Sequence, residues 1–491
     1  MTEESLKNKT INGVGWSAAD AFLSQGVTFI VGLVLARLLS PEEYGLIGIV
    51  TIFITIMLGV VDCGFSNALI RKIEVTDDDY STLFYFNFVV SITMFGLLFI
   101  GAPWIANFFG RPQLVTLTRV MGLLLIVQSL SIVQYTILSR NIDFKTKTKA
   151  SVISAVISGI LGIVMAYMGF GVWSLVAQQL SRQFVYSIFL WILNKWWPKW
   201  IFNIDSLKYM WGFGWKLLLS GLLERLWGQL YKVVVGKFYT PATLGQYTRS
   251  YEYAHLFSSN FTNIVQRVSY PVLSQVQTEQ ERMMSGYRSI IKMTMFVTAI
   301  IMISMGAVAE PLIYCLIGPQ WHQAATFLPL ICVSMSLYPL HAINLNMLQV
   351  QGRSDIFLKL EIVKKIIAVA PLSLGIFFNI YWMLAGSIVT GIISFFLNSH
   401  YTGKKLGYSS WQQLKDVAPS YGIASIIAVS VYFFKFMPMT YWVILPIQIV
   451  VGTIVFFLMC CLFKVQEYQE LKEIVSLCLK KCCIRKCVYL K

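Results

Sequence analysis

Basic side chains stand at regular intervals inside apolar stretches of this 491-residue chain. Arg225, Gln229 and Lys232 follow one another at i, i+4 and i+7, a spacing that places them along one face of a helix. Arg182 and Arg249 occupy two other apolar stretches. Guanidinium and ammonium groups in such surroundings are suited to binding an anion, and arginine binds phosphate groups in a bidentate geometry. These five residues are therefore the candidate substrate-binding residues.

Three carboxylates accompany the basic residues: Asp20, Glu224 beside Arg225, and Glu252 three positions after Arg249. One interpretation is structural, with Glu224 or Glu252 forming an ion pair with Arg225 while Arg249 extends toward water. The other is that a carboxylic acid in a low-dielectric site holds a coupling proton or binds a cation such as sodium. Both interpretations remain open from the sequence.

The residue patterns of common enzyme active sites and metal centres are missing from the sequence. We find no HExxH motif, no P-loop and no serine-triad arrangement, and His255 and His341 stand alone on aromatic or apolar stretches. The basic C-terminal tail carries Cys478, Cys482, Cys483 and Cys487. These cysteines lack the CxxC pairs of structural zinc sites, so an amphipathic, lipid-facing tail is favoured. We predict no catalytic residue, no metal ion and no cofactor.

The composition excludes a typical soluble protein. Apolar residues make up 57% of the chain and charged residues 13%, against roughly 45–50% and about 25% in soluble domains. The first apolar stretch contains Asp20 and has no small-residue cleavage site, which indicates a retained helix rather than a signal peptide. The chain is predicted to be an integral membrane protein.

Apolar stretches long enough to cross a bilayer recur along the sequence. Because lipid-exposed backbone must satisfy its own hydrogen bonds, they are predicted to be helices. We predict about fourteen spans, near residues 13–36, 44–66, 81–102, 113–136, 150–168, 172–194, 212–236, 245–275, 289–308, 324–350, 360–378, 381–401, 417–434 and 441–463.

The distribution of positive charge predicts the orientation of these spans. If the N-terminus is cytoplasmic, 25 of the 39 Lys and Arg residues fall on the inner side, 3 on the outer side and 11 within spans. Cytoplasmic segments are normally enriched in Lys and Arg, so both termini are predicted to be cytoplasmic. The same spread over many segments argues against a nucleic-acid partner, which would need a basic stripe.

An internal repeat relates the two halves of the chain. Three matched motifs occur in the same order: Gly15-Trp16 with Pro41 and Gly45 against Gly214-Trp215 with Pro241 and Gly245, Pro103–Gly110 against Pro311–Gly318, and Trp173-Ser174-Leu175 against Trp382-Met383-Leu384. A parallel repeat of six helices implies a pseudo-two-fold axis along the membrane normal and two lobes that enclose a cavity. The predicted organisation is an N-terminal lobe (1–200), a C-terminal lobe (201–403), two extra helices (404–463) and a cytoplasmic tail (464–491).

Several segments resemble a known family. The segments Ala36–Val50 (ARLLSPEEYGLIGIV), Asp62–Ile70 (DCGFSNALI), Arg140–Lys145 (RNIDFK) and Gly169–Leu180 (GFGVWSLVAQQL) are similar to those of the Wzx-type polysaccharide flippases. These belong to the multidrug/oligosaccharidyl-lipid/polysaccharide exporter superfamily, whose fold is the MATE-like pair of lobes.

The resemblance implies a function and a location. Such a protein moves a polyprenyl-pyrophosphate-linked oligosaccharide from the cytoplasmic to the outer leaflet of the bacterial inner membrane, with polysaccharide polymerases and glycosyltransferases as neighbours. Proton or sodium coupling is the alternative use of the carboxylates. A multidrug exporter of the same fold is the first rival, but the basic stripe suits a cationic drug poorly. A membrane polysaccharide polymerase is the second, although no long extramembrane segment is present to form a catalytic site.

Overall fold

The protein folds as helices throughout the part described by the structure, a computed structural model that covers residues 3–276, 279–473 and 476. No strand is found in these residues. The helices are α1 (Glu3–Leu38), α2 (Pro41–Asp62), α3 (Phe65–Arg71), α4 (Asp77–Phe109), α5 (Leu114–Arg140), α6 (Phe144–Tyr167), α7 (Val172–Asn194), α8 (Ile204–Phe238), α9 (Pro241–Gln275), α10 (Gln280–Ala307), α11 (Ala309–Ile317), α12 (His322–Ser336), α13 (Tyr338–Val350), α14 (Ser354–Ile367), α15 (Val369–Phe377), α16 (Ile380–Leu406), α17 (Ser410–Tyr432) and α18 (Tyr441–Leu462).

Most of the predicted spans correspond to helices that are long and apolar enough to cross a membrane. Among the described residues, nine helical segments are long and apolar enough to cross a membrane. The first, sixth, seventh, eighth and eleventh predicted spans lie instead on α1, α7, α8, α9 and the α14–α15 pair. Four of these five carry the candidate site residues, and the apolar part of α1 is the shorter segment Phe22–Leu38. The all-α membrane fold is confirmed, with fourteen as an approximate number of spans.

The structure divides into two compact units, Met1–Gly245 and Gln246–Lys491. In the first unit, α6 packs between α1 and α7, α4 packs on α5, and α2 packs on α5 and α8. The division at 245 reflects packing, since α8 contacts α2, α3 and α4. The lobe boundaries drawn from the sequence repeat stay a prediction.

Helices α2 and α8 run antiparallel along a seam of small residues. Gly214 on α8 lies against Phe65, next to the break between α2 and α3. Gly59 on α2 lies under Arg225, and Gly236 near the end of α8 lies against Ile49. Small residues let helix backbones approach closely in a membrane, so this seam sets the position of α8 along α2.

The connection between α7 and α8 lies across the start of α4. Backbone N–H groups of Lys199 and Asn203 donate hydrogen bonds to the hydroxyls of Ser81 (3.0 Å) and Thr82 (2.9 Å). Lys199 also forms an ion pair with Asp77 (2.9 Å), and this hydrogen bond raises the pKa of the Lys199 ammonium. The connection is therefore held by its backbone as well as by charge.

The second unit is organised around α10, which packs against α12 and α17. Helix α18 packs on α17 and α11. The thirteenth and fourteenth predicted spans correspond to α17 and α18, and they share a buried apolar cluster with α10 that includes Phe296, Ile427 and Met459. These two helices are thus integral to the packing of the second unit.

The predicted tail lies mostly outside the described residues, including all four of its cysteines: Cys478, Cys482, Cys483 and Cys487. The cysteines described as free thiols are Cys63, Cys315, Cys332, Cys460 and Cys461. In the described part of the chain, no group of three or more His, Cys, Asp or Glu side chains is arranged to hold a metal ion.

Candidate substrate-binding site

A polar group lies where α1, α6 and α7 meet. The Arg182 guanidinium donates from Nη2 to the hydroxyl of Ser24 (3.4 Å), and the Ser151 hydroxyl donates to the same oxygen (2.8 Å). Ser24 is buried, and Arg182 is half-buried. We call Asp20, Ser24, Ser151 and Arg182 the α1–α7 polar group.

Two glycines of α6 make this approach of helices feasible. A Cβ on Gly159 would lie 2.4 Å from Cγ2 of Val31 on α1, and one on Gly162 would lie 2.8 Å from Cβ of Gln178 on α7. Val31 and Gln178 therefore pack directly against the backbone of α6. This close packing brings α1 and α7 near enough for Ser24 and Arg182 to make contact.

Asp20 lies one helical turn before Ser24 on α1. Its carboxylate interacts electrostatically with Arg182, but no ion pair within 4.0 Å joins the two among the described residues. The Oδ1 atom of Asp20 is buried and has no hydrogen-bond partner in the described part of the chain. Buried polar atoms normally find a partner, so this oxygen remains available to accept a hydrogen bond.

Arg225 lies on α8 and contacts α2. Its Nη1 donates to the backbone carbonyl of Thr55 (3.3 Å), and its Cδ would be 2.8 Å from a Cβ on Gly59. Both Arg225 and its neighbour Glu224 are exposed on the protein surface, and no ion pair joins them. The structural pairing of Arg225 with Glu224 that the sequence allowed is therefore not what the structure shows.

The rest of the α8 stripe becomes more buried toward the end of the helix. Gln229 is half-buried, and its Oε1 has no hydrogen-bond partner among the described residues. Lys232 is also half-buried. The i, i+4, i+7 spacing thus forms one face of α8, as the helix in the structure requires.

Arg249 and Glu252 lie in the second unit and form an ion pair (2.8 Å), with the Arg249 side chain 15% exposed and that of Glu252 51% exposed. The carboxylate partly neutralises this guanidinium. Among the predicted basic residues, Arg249 is thus held by a carboxylate, whereas Arg182 and Arg225 contact a hydroxyl and a backbone carbonyl.

The sequence reasoning missed two features. The first is Gly59, whose missing side chain makes room for Arg225. The second is a Glu361–Lys364 ion pair on α14, close enough for its lysine to act electrostatically on the half-buried His341. The i, i+3 spacing of Glu361 and Lys364 inside a predicted span was the available signal for the second. Nothing in the local sequence marked Gly59, since its role depends on α8.

The comparison with protein families shows the family of this chain. A model described as polysaccharide biosynthesis protein matches residues 34–326. The chain belongs to this polysaccharide biosynthesis family. It is also 25% identical to the succinoglycan biosynthesis transport protein ExoT of Rhizobium meliloti (strain 1021), over 68% of each chain. The lipopolysaccharide biosynthesis protein WzxC of Escherichia coli (strain K12) is 22% identical over 76% of each chain.

Solved structures show the fold of this family member. The lipid II flippase MurJ in an inward closed conformation aligns with a TM-score of 0.73 at 15% identity, covering 93% of this chain and 99% of that one. An inward-facing multidrug resistance MATE transporter aligns with a TM-score of 0.60 at 17% identity, covering 79% and 99%. The predicted polysaccharide family is confirmed, the chain has the fold shared by MurJ and the MATE transporter, and the protein is a multi-pass membrane protein.

Proposed function

We propose that this family member is a flippase that moves a polyprenyl-pyrophosphate-linked oligosaccharide from the cytoplasmic to the outer leaflet by alternating access. The observation that carries the proposal is the bonding of Arg182 and Arg225. Each guanidinium lies on a predicted membrane span and is bound by a neutral oxygen, of Ser24 or of the Thr55 carbonyl. An intramembrane positive charge is costly, and retaining it without a tight carboxylate partner suits a protein that receives an anion.

The chemistry of the substrate follows from these contacts. A pyrophosphate carries several oxygens that accept bidentate hydrogen bonds from guanidinium groups. Gln229 adds an amide on the α8 face, and Lys232 adds an ammonium group. The names of the relatives ExoT and WzxC, which refer to succinoglycan transport and lipopolysaccharide biosynthesis, support an oligosaccharide as the rest of the substrate.

The proposed location is the bacterial inner membrane with both termini in the cytoplasm. The excess of Lys and Arg on one side of the predicted spans supports this orientation. Glycosyltransferases that build the lipid-linked unit and a polymerase that consumes it are the proposed functional neighbours. We place no catalytic step on this chain, and the relatives that support the proposal include a named transport protein.

Coupling to an ion gradient forms a separate part of the proposal, and Asp20 is its best candidate. Glu252 is occupied by Arg249, and Glu224 is exposed, whereas Asp20 presents a buried oxygen with no hydrogen-bond partner among the described residues. A carboxylic acid in this position could take up a proton or bind a sodium ion. Transport that continues unchanged after both gradients are collapsed would remove this part of the proposal and leave the flippase intact.

A multidrug exporter is the rival within the same fold, since a MATE transporter also aligns with this chain. Its cationic substrates would meet two guanidinium groups that no carboxylate pairs within the described residues. Repulsion between like charges in a low-dielectric site disfavours that use.

The test measures translocation of a labelled polyprenyl-pyrophosphate oligosaccharide in proteoliposomes. We expect Arg182→Gln and Arg225→Gln each to reduce the rate roughly tenfold or more, because a hydrogen bond to a charged group is worth ~1.5–3 kcal/mol. Arg182→Lys should keep part of the rate, since the positive charge remains. Arg282→Gln is the matched control, because Arg282 forms an exposed pair with Glu279.

Two outcomes would contradict the proposed function. Wild-type rates in both Arg182→Gln and Arg225→Gln, in protein that elutes and unfolds like the parent, would reject anion binding by these residues. Absence of translocation by the parent chain, with every lipid-linked oligosaccharide tried, would reject the flippase itself.

A further inference from the structure

A lysine near the start of α6 is held by neutral groups. The Lys147 ammonium donates a hydrogen bond to the Ser139 hydroxyl (3.2 Å) and lies 3.7 Å from the centre of the Tyr135 ring. It also lies 5.0 Å from the centre of the Phe144 ring. No carboxylate within 4.0 Å of this ammonium is found in the described part of the chain. Lys147 therefore keeps a net positive charge beside a predicted span.

Lys72 in the same unit has the opposite kind of partner. Its ammonium donates to both oxygens of Asp79, at 2.7 Å each, and the Asp79 side chain is buried. Such a lysine is neutralised and joins two segments of the fold. Lys147 instead resembles Arg182, whose guanidinium also contacts a hydroxyl. By the same reasoning, Lys147 can bind an anion.

Tyr135, which lies under Lys147, is an exposed position in a buried part of α5. It is 42% exposed, whereas the three residues before it and the three after it are all buried. A single exposed position on a buried stretch of helix indicates an opening among the surrounding helices. Because a charge is costly in hydrocarbon, the ammonium on this ring indicates that the opening holds water rather than lipid tails.

This opening lies one helical turn from the α1–α7 polar group. Lys147 and Ser151 are at i and i+4, so their side chains share one face of α6, about 6 Å apart along its axis. The Ser151 hydroxyl donates to that of Ser24, and Arg182 donates to the same oxygen. An anion at Lys147 is therefore one turn away from the contacts of Arg182.

Two side chains of α7 also connect the opening with that group. The Gln183 amide donates a hydrogen bond to the hydroxyl of Ser131 (3.0 Å), which lies one turn before Tyr135 on α5. The Tyr186 phenol interacts electrostatically with both Tyr135 and Asp20. The opening and the α1–α7 polar group are thus parts of one polar path within the first unit.

We propose that Lys147 and Tyr135 form an entry subsite that binds the pyrophosphate of the lipid-linked substrate before it reaches Arg182. The proposal rests on the proposed flippase function and orientation, which place the start of α6 on the cytoplasmic side. The ammonium offers N–H donors to the phosphate oxygens, while the aromatic rings hold it in place without neutralising it. Passage from Lys147 to Arg182 then exchanges one cation for another, so the pyrophosphate stays paired as it leaves water.

The test measures the binding of farnesyl pyrophosphate, a short polyprenyl pyrophosphate, to the full chain in detergent. Arg182→Gln removes the inner cation and should leave binding that depends on Lys147. We expect Lys147→Gln in that background to weaken binding severalfold more, because a charge-assisted hydrogen bond to phosphate is lost. Lys147→Arg should keep most of the binding. Farnesol, which lacks the pyrophosphate, should bind the parent and the variants equally.

Lys149→Gln is the matched control, since Lys149 is an exposed lysine two residues further along α6. It should leave the binding of farnesyl pyrophosphate unchanged. Equal binding in Arg182→Gln with and without Lys147→Gln, in proteins that unfold like the parent, would overturn the subsite. Displacement of farnesyl pyrophosphate by an equal amount of phosphatidylglycerol would overturn it too, because the site would then hold a membrane phospholipid.

A second measurement keeps both cations and applies even if the Lys147 variants fail to fold. The photoreactive residue p-benzoylphenylalanine replaces Phe144, beside Lys147, or Phe170, which follows the other end of α6 and is exposed. We expect radiolabelled farnesyl pyrophosphate to cross-link severalfold more at position 144. Equal cross-linking at the two positions would overturn the subsite.

The subsite and the flippase fail in different experiments. Binding that depends on Lys147, with no translocation of an oligosaccharide by the parent chain, would reject the flippase alone. Translocation by the parent together with unchanged farnesyl pyrophosphate binding in the Lys147 variants would reject the subsite alone.

Discussion

Two arginine-containing groups of this protein use the same side chain in opposite ways. In the first unit, Arg182 contacts the Ser24 hydroxyl at 3.4 Å. In the second unit, Arg288 on α10 binds both oxygens of Asp416 on α17, from Nε at 2.5 Å and from Nη2 at 2.7 Å. Tyr408 donates a third hydrogen bond to Asp416 (2.7 Å).

The difference distinguishes an arginine that can bind a ligand from one that holds two helices together. A guanidinium bound in a bidentate way by a carboxylate has its charge neutralised and two of its N–H donors occupied, and here it ties two helices together. A guanidinium held by a hydroxyl keeps its net charge and most of its donors. An arginine within or beside a predicted span is therefore by itself a weak guide to a binding site, and the partner of its donors is the informative observation.

The largest expected effect on stability comes from breaking the Arg288–Asp416 ion pair. Asp416→Asn should reduce the free energy of unfolding by about 1–3 kcal/mol, because it removes one acceptor oxygen of the bidentate pair and the negative charge beside Arg288 and Lys292. Thermal unfolding in detergent measures this, and the translocation rate per folded molecule should stay at the parental value.

The matched control for that experiment is Asp355→Asn. Hydrogen bonds from Arg353 hold the pKa of the Asp355 carboxyl below its ordinary value, but both side chains are about half exposed. Water can replace this pair, so we expect little change in unfolding. Equal destabilisation by the two variants would contradict the architectural role of Asp416.

A smaller effect is expected from Gly59→Ala, which tests the binding side of the comparison without changing a charge. The new Cβ would lie 2.8 Å from Cδ of Arg225, so the guanidinium must leave its position over the Thr55 carbonyl. We expect a severalfold lower translocation rate with nearly unchanged unfolding. Gly96→Ala on α4, where an added Cβ meets no atom within 4 Å, is the control. A parental rate in Gly59→Ala would show that the position of Arg225 is unimportant.

The smallest effect is expected from Glu252→Gln. This carboxylate is 51% exposed and pairs at an i, i+3 spacing with Arg249, which is 15% exposed. Because water reaches the carboxylate, we expect the pair to contribute only about 0–1 kcal/mol. Translocation and unfolding should both stay close to parental values. A tenfold change in translocation would instead return Arg249 and Glu252 to the binding machinery.

Much of the fold was accessible from sequence because bilayer physics acts locally. Each apolar stretch must form a helix that satisfies its own backbone, and the nine strongest stretches do so in the described residues. The Arg249–Glu252 pair follows from the i, i+3 spacing on one helix. Breaks within a span were harder to predict from the sequence. One example lies between α2 and α3, where Cys63 and Gly64 have positive φ values of 49° and 70°.

The candidate site was accessible only in part. The sequence indicated which polar residues lie within spans, and it placed Arg225, Gln229 and Lys232 on one face of α8. It did not indicate that Ser24 and Ser151 meet at Arg182, since α1, α6 and α7 are far apart along the chain. That contact depends on Gly159 and Gly162, whose value appears only once neighbouring helices are present.

Sequence by itself determined the class of protein, the approximate positions of its spans and the existence of two matching Pro-x-x-x-Gly motifs, because hydropathy and helical spacing are properties of short segments. Tertiary structure alone decided which arginines keep neutral partners and that Gly45 and Gly245 each meet the opposite proline. The physical reason is the separation along the chain of the residues that interact. The insertion of a helix depends on its own residues, whereas the partner of a buried charge and the approach of two backbones depend on atoms brought together from distant parts of the chain.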